Sequence, residues 1–326
     1  MTLSRRQLLI ASAAAAAASL AAQRALAELP KLAKKDTYKV GFAQTESNNP
    51  WRIAQTNSMQ GEAEKRGWQL VYTDAAGSAA KQVADVNSMI AQGVELIFLA
   101  PREEKPLIPA IMAAKGAGIP VILLDRNVDQ SLATAGEDYV CFIGSDFVEE
   151  GRRIAEWMVA NANGKSKIIQ LEGTVGSSPA NDRKKGFDDY IAGNAAFTLL
   201  ASQSGDFARD KGRQVAETLL QAHPDADIIY AHNDEMAIGA ISALEAAGKA
   251  AGTDVMILSI DGGREIVQLI IDGKVNAVCE CNPRFGPKAF DTAVAYAGGE
   301  AIPAKLINPD NFYTIENAAA ELPNAY

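Results

Sequence analysis

Histidine and cysteine are scarce in this chain of 326 residues, which has two of the first and three of the second. That leaves little material for nucleophilic catalysis or for a metal cage. His223 and His232 lie far from Cys141 in the chain, and no HExxH, GxSxG or Walker-type loop occurs. Cys279 and Cys281 are alternate residues of one apparent strand, a poor geometry for a bridge and a weak metal signal without a nearby histidine. Three buried free thiols are the expectation, with no metal and no cofactor. Positive charge is short as well: 31 Lys and Arg stand against 40 Asp and Glu, for a net charge of −9, and the cations are scattered. Nucleic acid and anionic membrane are therefore poor partners.

Long apolar runs are absent after the N-terminus. The one at the start, Leu8 to Ala22, follows Arg5 and Arg6 and precedes the small-residue pattern Ala25-Leu26-Ala27. It is too short and too rich in alanine for a membrane span, and reads as a signal peptide over residues 1–27. The order Ser4-Arg5-Arg6-Gln7-Leu8-Leu9 fits a twin-arginine signal, with an ordinary secretory signal as the alternative. Either way the mature chain is expected to start near Glu28 and to be exported without inserting in the membrane. Loss of Arg5, Arg6 and Arg24 takes the net charge from −9 to −12.

What the chain does have is alternation. Apolar strand-like runs occur at residues 38–44, 69–73, 96–100, 121–125 and 140–144, then at 167–171, 199–203, 228–231, 256–261 and 277–281. Between them lie amphipathic stretches at helical spacing, such as 53–66, 79–92 and 211–222. Repeated βα units imply parallel sheets covered by helices. The two halves also echo each other: Glu95-Leu96-Ile97-Phe98-Leu99-Ala100 is matched by Asp227-Ile228-Ile229-Tyr230-Ala231-His232, and Val121-Ile122-Leu123-Leu124-Asp125 by Ile257-Leu258-Ser259-Ile260-Asp261. The expected fold is α/β, with two similar doubly wound parallel-sheet lobes. Strand ends that face each other would form a cleft for a small molecule.

The residues just past the strands have a common character. Asn49, Trp51 and Arg52 follow the first strand, and Asp125 and Arg126 end the fourth. In the second half, Arg183, Phe207, Asn233 and Asp261 occupy corresponding places. Carboxylates accept from hydroxyls, guanidiniums donate in a planar fork, and flat rings cover C–H faces. That chemistry suits a polyol such as a sugar. Each residue also has a plainer reading: Asn49-Pro50 as a helix cap and first turn, Trp51 as packing, Asp125-Arg126 as an internal ion pair, and Arg183 as a solvated helix residue beside Lys184 and Lys185.

With these residues in view, the chain resembles the periplasmic type I sugar-binding proteins of ABC transporters, the ribose-binding-like family. The motifs that carry the resemblance are Asn49-Pro50, Leu124-Asp125-Arg126, Leu171-Glu172-Gly173, Arg183-x-x-Gly186-Phe187, His232-Asn233-Asp234-Glu235-Met236 and Ile260-Asp261-Gly262. Trp51-Arg52, Asp182-Arg183-Lys184-Lys185 and Ser204-Gly205-Asp206-Phe207 are similar to the galactofuranose-binding branch. The resemblance covers nearly the whole chain from Tyr38. It implies that Arg52, Asp125, Arg126, Arg183, Asn233 and Asp261 hydrogen-bond a monosaccharide while Trp51 and Phe207 flank it. A polar side chain also reaches the sugar from the hinge strand; Glu280, Cys281 and Asn282 are the candidates, and Cys281 joins the site set.

The resemblance further implies a hinge crossed three times, near Ser145-Asp146, Cys281-Asn282 and Asn308-Pro309. The N-terminal lobe would then be residues 37–145 plus 282–308, and the C-terminal lobe 146–281 plus 309–326. A monomer would close around its ligand and deliver it to a membrane permease driven by an ATPase. The ligand expected first is galactofuranose, with arabinose, ribose, galactopyranose and an acidic sugar as alternatives. A partner role for a chemoreceptor or sensor kinase is a further alternative. An enzyme using Asp125 with Asp261 as a carboxylate pair is the least supported reading.

Overall fold

The computed structural model describes residues 28–326. The signal peptide expected over 1–27 lies outside the described residues. Ten strands fall where the alternation places them: β1 Lys39–Gln44, β2 Gln69–Asp74, β3 Leu96–Leu99, β4 Val121–Leu124, β5 Phe142–Gly144, β6 Lys167–Glu172, β7 Thr198–Ser204, β8 Ile228–Ala231, β9 Met256–Asp261 and β10 Ala277–Glu280. Two more, β11 Lys305–Ile307 and β12 Phe312–Thr314, have only three residues each and no legible alternation. The helices are α1 Pro50–Arg66, α2 Ala79–Ala91, α3 Ile108–Gly116, α4 Phe147–Asn161, α5 Ser178–Ile191, α6 Arg209–Ala222, α7 Asp234–Ala246, α8 Arg264–Ile271, α9 Gly286–Ala297 and the short α10 Ala318–Glu321.

The strands form two sheets of six, ordered β11-β5-β4-β3-β1-β2 and β12-β10-β9-β8-β6-β7. The orders are the same in each half, so the internal echo is an architectural repeat. In each sheet the direction of winding reverses around the first strand, β1 or β6, which places the ligand crevice at its carboxyl end. Central strands such as β4 and β8 are buried on both faces, which is why they read as unbroken apolar runs.

The chain passes between the sheets three times: from β5 to β6, from β10 to β11, and from β11 to β12. One pairing departs from the all-parallel expectation. β11 runs parallel to β5, but β12 is antiparallel to β10. The reason is directional. β11 ends at the carboxyl edge of its sheet, and four residues later the chain enters the second sheet at that sheet's own carboxyl edge, so it must run away from the edge toward which β10 runs.

Local sequence sets the helix ends that matter for the site. Asn49 caps α1 by accepting from the Arg52 amide, Pro50 takes the first turn, and Gly67 closes the helix at φ 66°. The core under the first sheet is anchored by Phe98 stacked on Phe290 of α9, at 5.1 Å between ring centres. In the second lobe Phe187 stacks on Tyr230 at 4.2 Å. Helices α4 and α5 pack so closely that a Cβ added at Gly186 would lie 1.9 Å from the Val148 carbonyl oxygen.

That approach is testable. Gly186→Ala should lower stability in a urea titration by about 1–3 kcal/mol or more. Gly61→Ala, in α1 with nothing within 4 Å of the new methyl, should leave stability level or raise it by up to about 1 kcal/mol. Equal midpoints for the two variants would refute the close packing.

Candidate functional site

Between the two sheets lies a cleft of about 340 Å³ lined by Asn49, Trp51, Arg52, Asp125, Arg126 and, from the other side, Arg183, Phe207, Asn233, Asp261 and Cys281. Glu46 and Pro179 complete the wall. A larger hollow of about 1080 Å³ adjoins it, walled by Ile238, Leu269, Leu322 and Tyr326 and sharing Trp51 and Asp261. The convergent charged groups make the smaller cleft the candidate site.

On the first lobe, α1 begins at the crevice, so its capped first turn presents Trp51 and Arg52. The Trp51 indole N–H donates to the Cys281 carbonyl at 2.7 Å, tying the helix to the hinge. Arg52 donates to Gln55 at 3.0 Å, and its Nη1 lies 2.7 Å from Asp125 Oδ2. The guanidinium also sits 4.6 Å from the Trp51 ring centre.

Strand β4 ends where the backbone turns: Asp125 has φ 62°, a conformation disfavoured for any side chain but compatible with a short carboxylate. Its amide still donates to Ile143 at 2.8 Å. Asp125 and Arg126 are only 3% and 2% exposed, although the strand has ended. Arg126 Nη1 donates to the Arg102 carbonyl at 2.9 Å, and Nη2 lies 3.5 Å from Glu46. Two atoms of this pair remain without a hydrogen-bond partner, Asp125 Oδ2 and Arg126 Nε. They are 3.9 Å apart. The Arg52 contact to Asp125 Oδ2 is close enough for charge pairing but lacks hydrogen-bond alignment, so the carboxylate keeps a free lone pair. Burial, with Arg52 next to it, pulls the Arg126 pKa down to about 9.

The second lobe answers with its own pairs. Arg183, on the buried face of α5, donates through Nε to Glu150 at 2.7 Å and through Nη1 to the His232 carbonyl at 2.6 Å. Its Nη2 lies 3.5 Å from Asp261. Burial opposes its charge, but Glu150 and then Asp261 outweigh burial and hold the pKa well above the ordinary value. Asp261 ends β9 at φ 133° and is aimed by Asp234, which accepts from the amides of Gly262 and Gly263 at 2.9 and 2.8 Å. Burial first, and its neighbour Asp234, raise the Asp261 carboxyl well above the usual range. Phe207 lies with its ring 5.5 Å from the Arg126 guanidinium and 5.9 Å from that of Arg183. It can do so because residue 173 is glycine: a Cβ there would sit 1.9 Å from the ring. Asn233 caps α7 and also donates to the Phe207 carbonyl at 3.1 Å.

Comparison with known proteins now has a geometry to meet. A family model for the periplasmic binding protein domain matches residues 40–301. The chain belongs to the periplasmic binding proteins. Among curated relatives, the galactofuranose-binding protein YtfQ of Escherichia coli (strain K12) is 38% identical over 301 residues, covering 91% of this chain and 94% of that protein. A solved structure from Mycobacterium smegmatis in complex with β-D-fucofuranose superposes with a TM-score of 0.84 at 42% identity, covering 88% of this chain and 94% of the other. The binding protein component of the arabinose ABC transporter from Shewanella sp. ANA-3, bound to α- and β-L-arabinofuranose, gives a TM-score of 0.82 at 38% identity, over 88% and 95% of the two chains.

In this binding protein all ten residues singled out from the sequence line one cleft. Several of the plainer readings are also seen: Trp51 packs 6.0 Å from Phe285 and Asp125 pairs with Arg52 at 2.7 Å. Asn49 and Asn233 are caps that also face the cleft, and Arg183 is buried rather than solvated. The hinge strand places its three candidates differently. Cys281 lines the cleft, while Glu280 turns away to accept from the Asn311 amide at 2.9 Å, and Asn282 accepts from the Arg284 amide at 2.9 Å. The three thiols are free and buried, with burial pushing Cys141 up to about 12. Glu46, Arg102 and Pro179 escaped the sequence reading. The signal for Arg102 was present, because it follows the buried run Leu96–Leu99 as Asp125 and Arg126 follow theirs. Among the described residues no group of His, Cys, Asp and Glu is arranged to hold a metal, and no helix is long and apolar enough to cross a membrane.

The hinge of the binding protein contains a titrating group. Asp310, between β11 and β12, is pushed up to about 6 by burial, against the bonds it accepts from Ser145 and the Asn282 amide. The unfolded chain releases this proton near the usual carboxylate value, so folding stability falls as pH rises from about 4 to about 6. Asp310→Asn keeps an acceptor for Asn282 and should flatten the stability–pH curve in that window. Urea titrations at pH 4.5 and 6.5 that change equally in both proteins would contradict the assignment.

Proposed function

We propose that this periplasmic binding protein is the solute-binding subunit of an ABC importer, and that it closes around a neutral furanose-form hexose, galactofuranose first. The observation that carries the reading is the pair of buried, unpartnered atoms at the end of β4. Asp125 Oδ2 accepts and Arg126 Nε donates, and a single hydroxyl placed between them satisfies both. Asp125 Oδ2 is already charge-paired with Arg52 at 2.7 Å, so the gain lies mainly with Arg126 Nε, whose unmade bond costs about 1–3 kcal/mol that a ligand hydroxyl relieves.

Three further features support a neutral sugar. Every buried arginine near the cleft already faces a carboxylate: Arg52 with Asp125, Arg102 and Arg126 with Glu46, Arg183 with Glu150 and Asp261. The excess of arginines in the sequence set, which kept an acidic sugar open, is therefore compensated by Glu46 and Glu150. Trp51 and Phe207 offer flat faces for C–H groups. The relatives named above bind furanose forms of galactose, fucose and arabinose according to their descriptions.

In this reading residues 37–145 with 282–308 form one lobe and 146–281 with 309–326 the other, hinged at the three crossings. Asn49, Arg52, Asp125, Arg126, Arg183, Asn233, Asp261 and Cys281 meet the sugar's polar atoms. The protein acts as a monomer in the periplasm after cleavage of the signal peptide near Ala27, hands the sugar to the permease, and performs no turnover.

Calorimetry against galactose, arabinose, ribose and galacturonate tests the reading, with neutral sugars expected to give heat and galactose the strongest. Binding of galacturonate alone would sink the neutral-furanose assignment. Arg126→Ala should weaken binding at least about tenfold, a loss of about 1.4 kcal/mol. An unchanged affinity would return Asp125 and Arg126 to the role of an internal ion pair.

A further inference from the structure

Arg102 touches both lobes. It follows β3 on the first sheet, in a run of charges, Arg102-Glu103-Glu104-Lys105, that resembles an ordinary solvated loop. Yet it is only 7% exposed. Its amide donates to Gln82 at 2.8 Å and its carbonyl accepts from Arg126 Nη1 at 2.9 Å. The guanidinium is divided. Nη1 donates to Glu46 at 2.8 Å on its own lobe, while Nη2 donates to Asp206 at 3.0 Å on the loop after β7 of the other lobe. Among the described residues, this is the one ion pair that joins the two lobes.

The other polar contacts across this mouth are hydrogen bonds without an opposite charge pair. The Glu104 amide donates to the Gly176 carbonyl at 2.9 Å, Asn181 to Glu104 at 3.0 Å, and the Asn127 amide to Ser178 at 2.8 Å. Asp206 directly precedes Phe207, whose ring packs on the Arg126 guanidinium. Arg126, Arg102, Asp206 and Phe207 thus form a closed circuit, half on each lobe.

We propose that Arg102 is a positioning residue that couples ligand contact at Arg126 to lobe closure, by gripping Glu46 within its own lobe and Asp206 across the cleft. The proposal rests on the sugar-binding, hinge-closing reading above. Glu46 holds the guanidinium oriented while the lobes are apart, so little rotamer freedom is lost when Asp206 arrives. The Asp206 side chain is 35% exposed and Lys211 lies 4.0 Å away, so the attraction is partly screened by dissolved salt. Rotation at the hinge separates Arg102 from Asp206 and leaves the Glu46 contact intact. The pair therefore favours the closed form without touching the sugar.

Asp206→Asn is the discriminating variant. Asp206 has φ 58°, a conformation asparagine adopts readily, so the substitution removes charge and little else. Sugar release from the variant, followed by stopped-flow fluorescence, should be three- to tenfold faster than from the wild type, with the ranking of sugars unchanged. Raising sodium chloride from 20 to 500 mM should speed wild-type release and leave the variant nearly unaffected. Arg102→Gln with Asp206→Asn together should be no worse than Arg102→Gln alone.

A second readout does not need the sugar. Small-angle scattering of the ligand-free proteins should give a larger radius of gyration for Asp206→Asn than for the wild type at low salt. Release and salt response equal to those of the wild type, with identical scattering, would overturn the coupling while leaving the sugar reading standing. A wild type that binds no sugar would fail the sugar reading; scattering would then decide the latch by itself, with identical radii rejecting it.

Discussion

A buried guanidinium must have a carboxylate beside it, and the architecture of the cleft follows from that constraint. Four arginines, Arg52, Arg102, Arg126 and Arg183, are buried among the described residues, all of them at the junction of the two sheets. Each would be strongly destabilising if left alone there. Their partners come from far away in sequence: Asp125 for Arg52, Glu46 for Arg102 and Arg126, Glu150 and Asp261 for Arg183. Pairing these groups requires the carboxyl ends of β1, β3 and β4 to meet on one side and those of β8 and β9 with α4 and α5 on the other. The ion pairs are thus a demand on topology as much as a product of it.

This arrangement separates holding from recognising. Pairs such as Arg183 with Glu150 satisfy most of the hydrogen-bonding capacity near the hinge and keep the lobe interior rigid. Glu150 Oε1 and His232 Nε2 stay unpartnered in the second lobe, while in the first Asp125 Oδ2 and Arg126 Nε do so where the backbone leaves the strand at positive φ. Strain of this kind persists only where surrounding structure fixes it, and here the fixed surroundings are the sheet below and the paired arginines to either side.

Much of this was legible in the sequence because burial and charge conflict visibly in a one-dimensional pattern. Val121 to Arg126 shows the conflict in six letters, and the fourth strand of each half ends the same way. Period and apolar content placed ten strands, including the three-residue β5, which is buried throughout. β11 and β12 are equally short but half-exposed at the sheet edges, so no apolar run marked them. Glu46 was hidden in a polar turn, and Arg102 in a charge run that reads as a solvated loop although Glu103 and Glu104 are half-buried. Pro179 carried no polar signal, and it stands in the first turn of α5. Asp310 had no local signal at all, since its burial arises only where three chain crossings come together. What the sequence withheld was pairing between distant segments, and that is decided in three dimensions.

One contact gives the molecule an additional property. The chain has three tryptophans, and Trp68 and Trp157 pack away from the cleft, while Trp51 lines it and bonds to the Cys281 carbonyl in the hinge. Its indole stands against a guanidinium on one side and hinge backbone on the other, so its surroundings change polarity whenever the crossing strands flex. Trp51 is thus a label-free reporter placed at the pivot, and rotation of the lobes is expected to shift its emission.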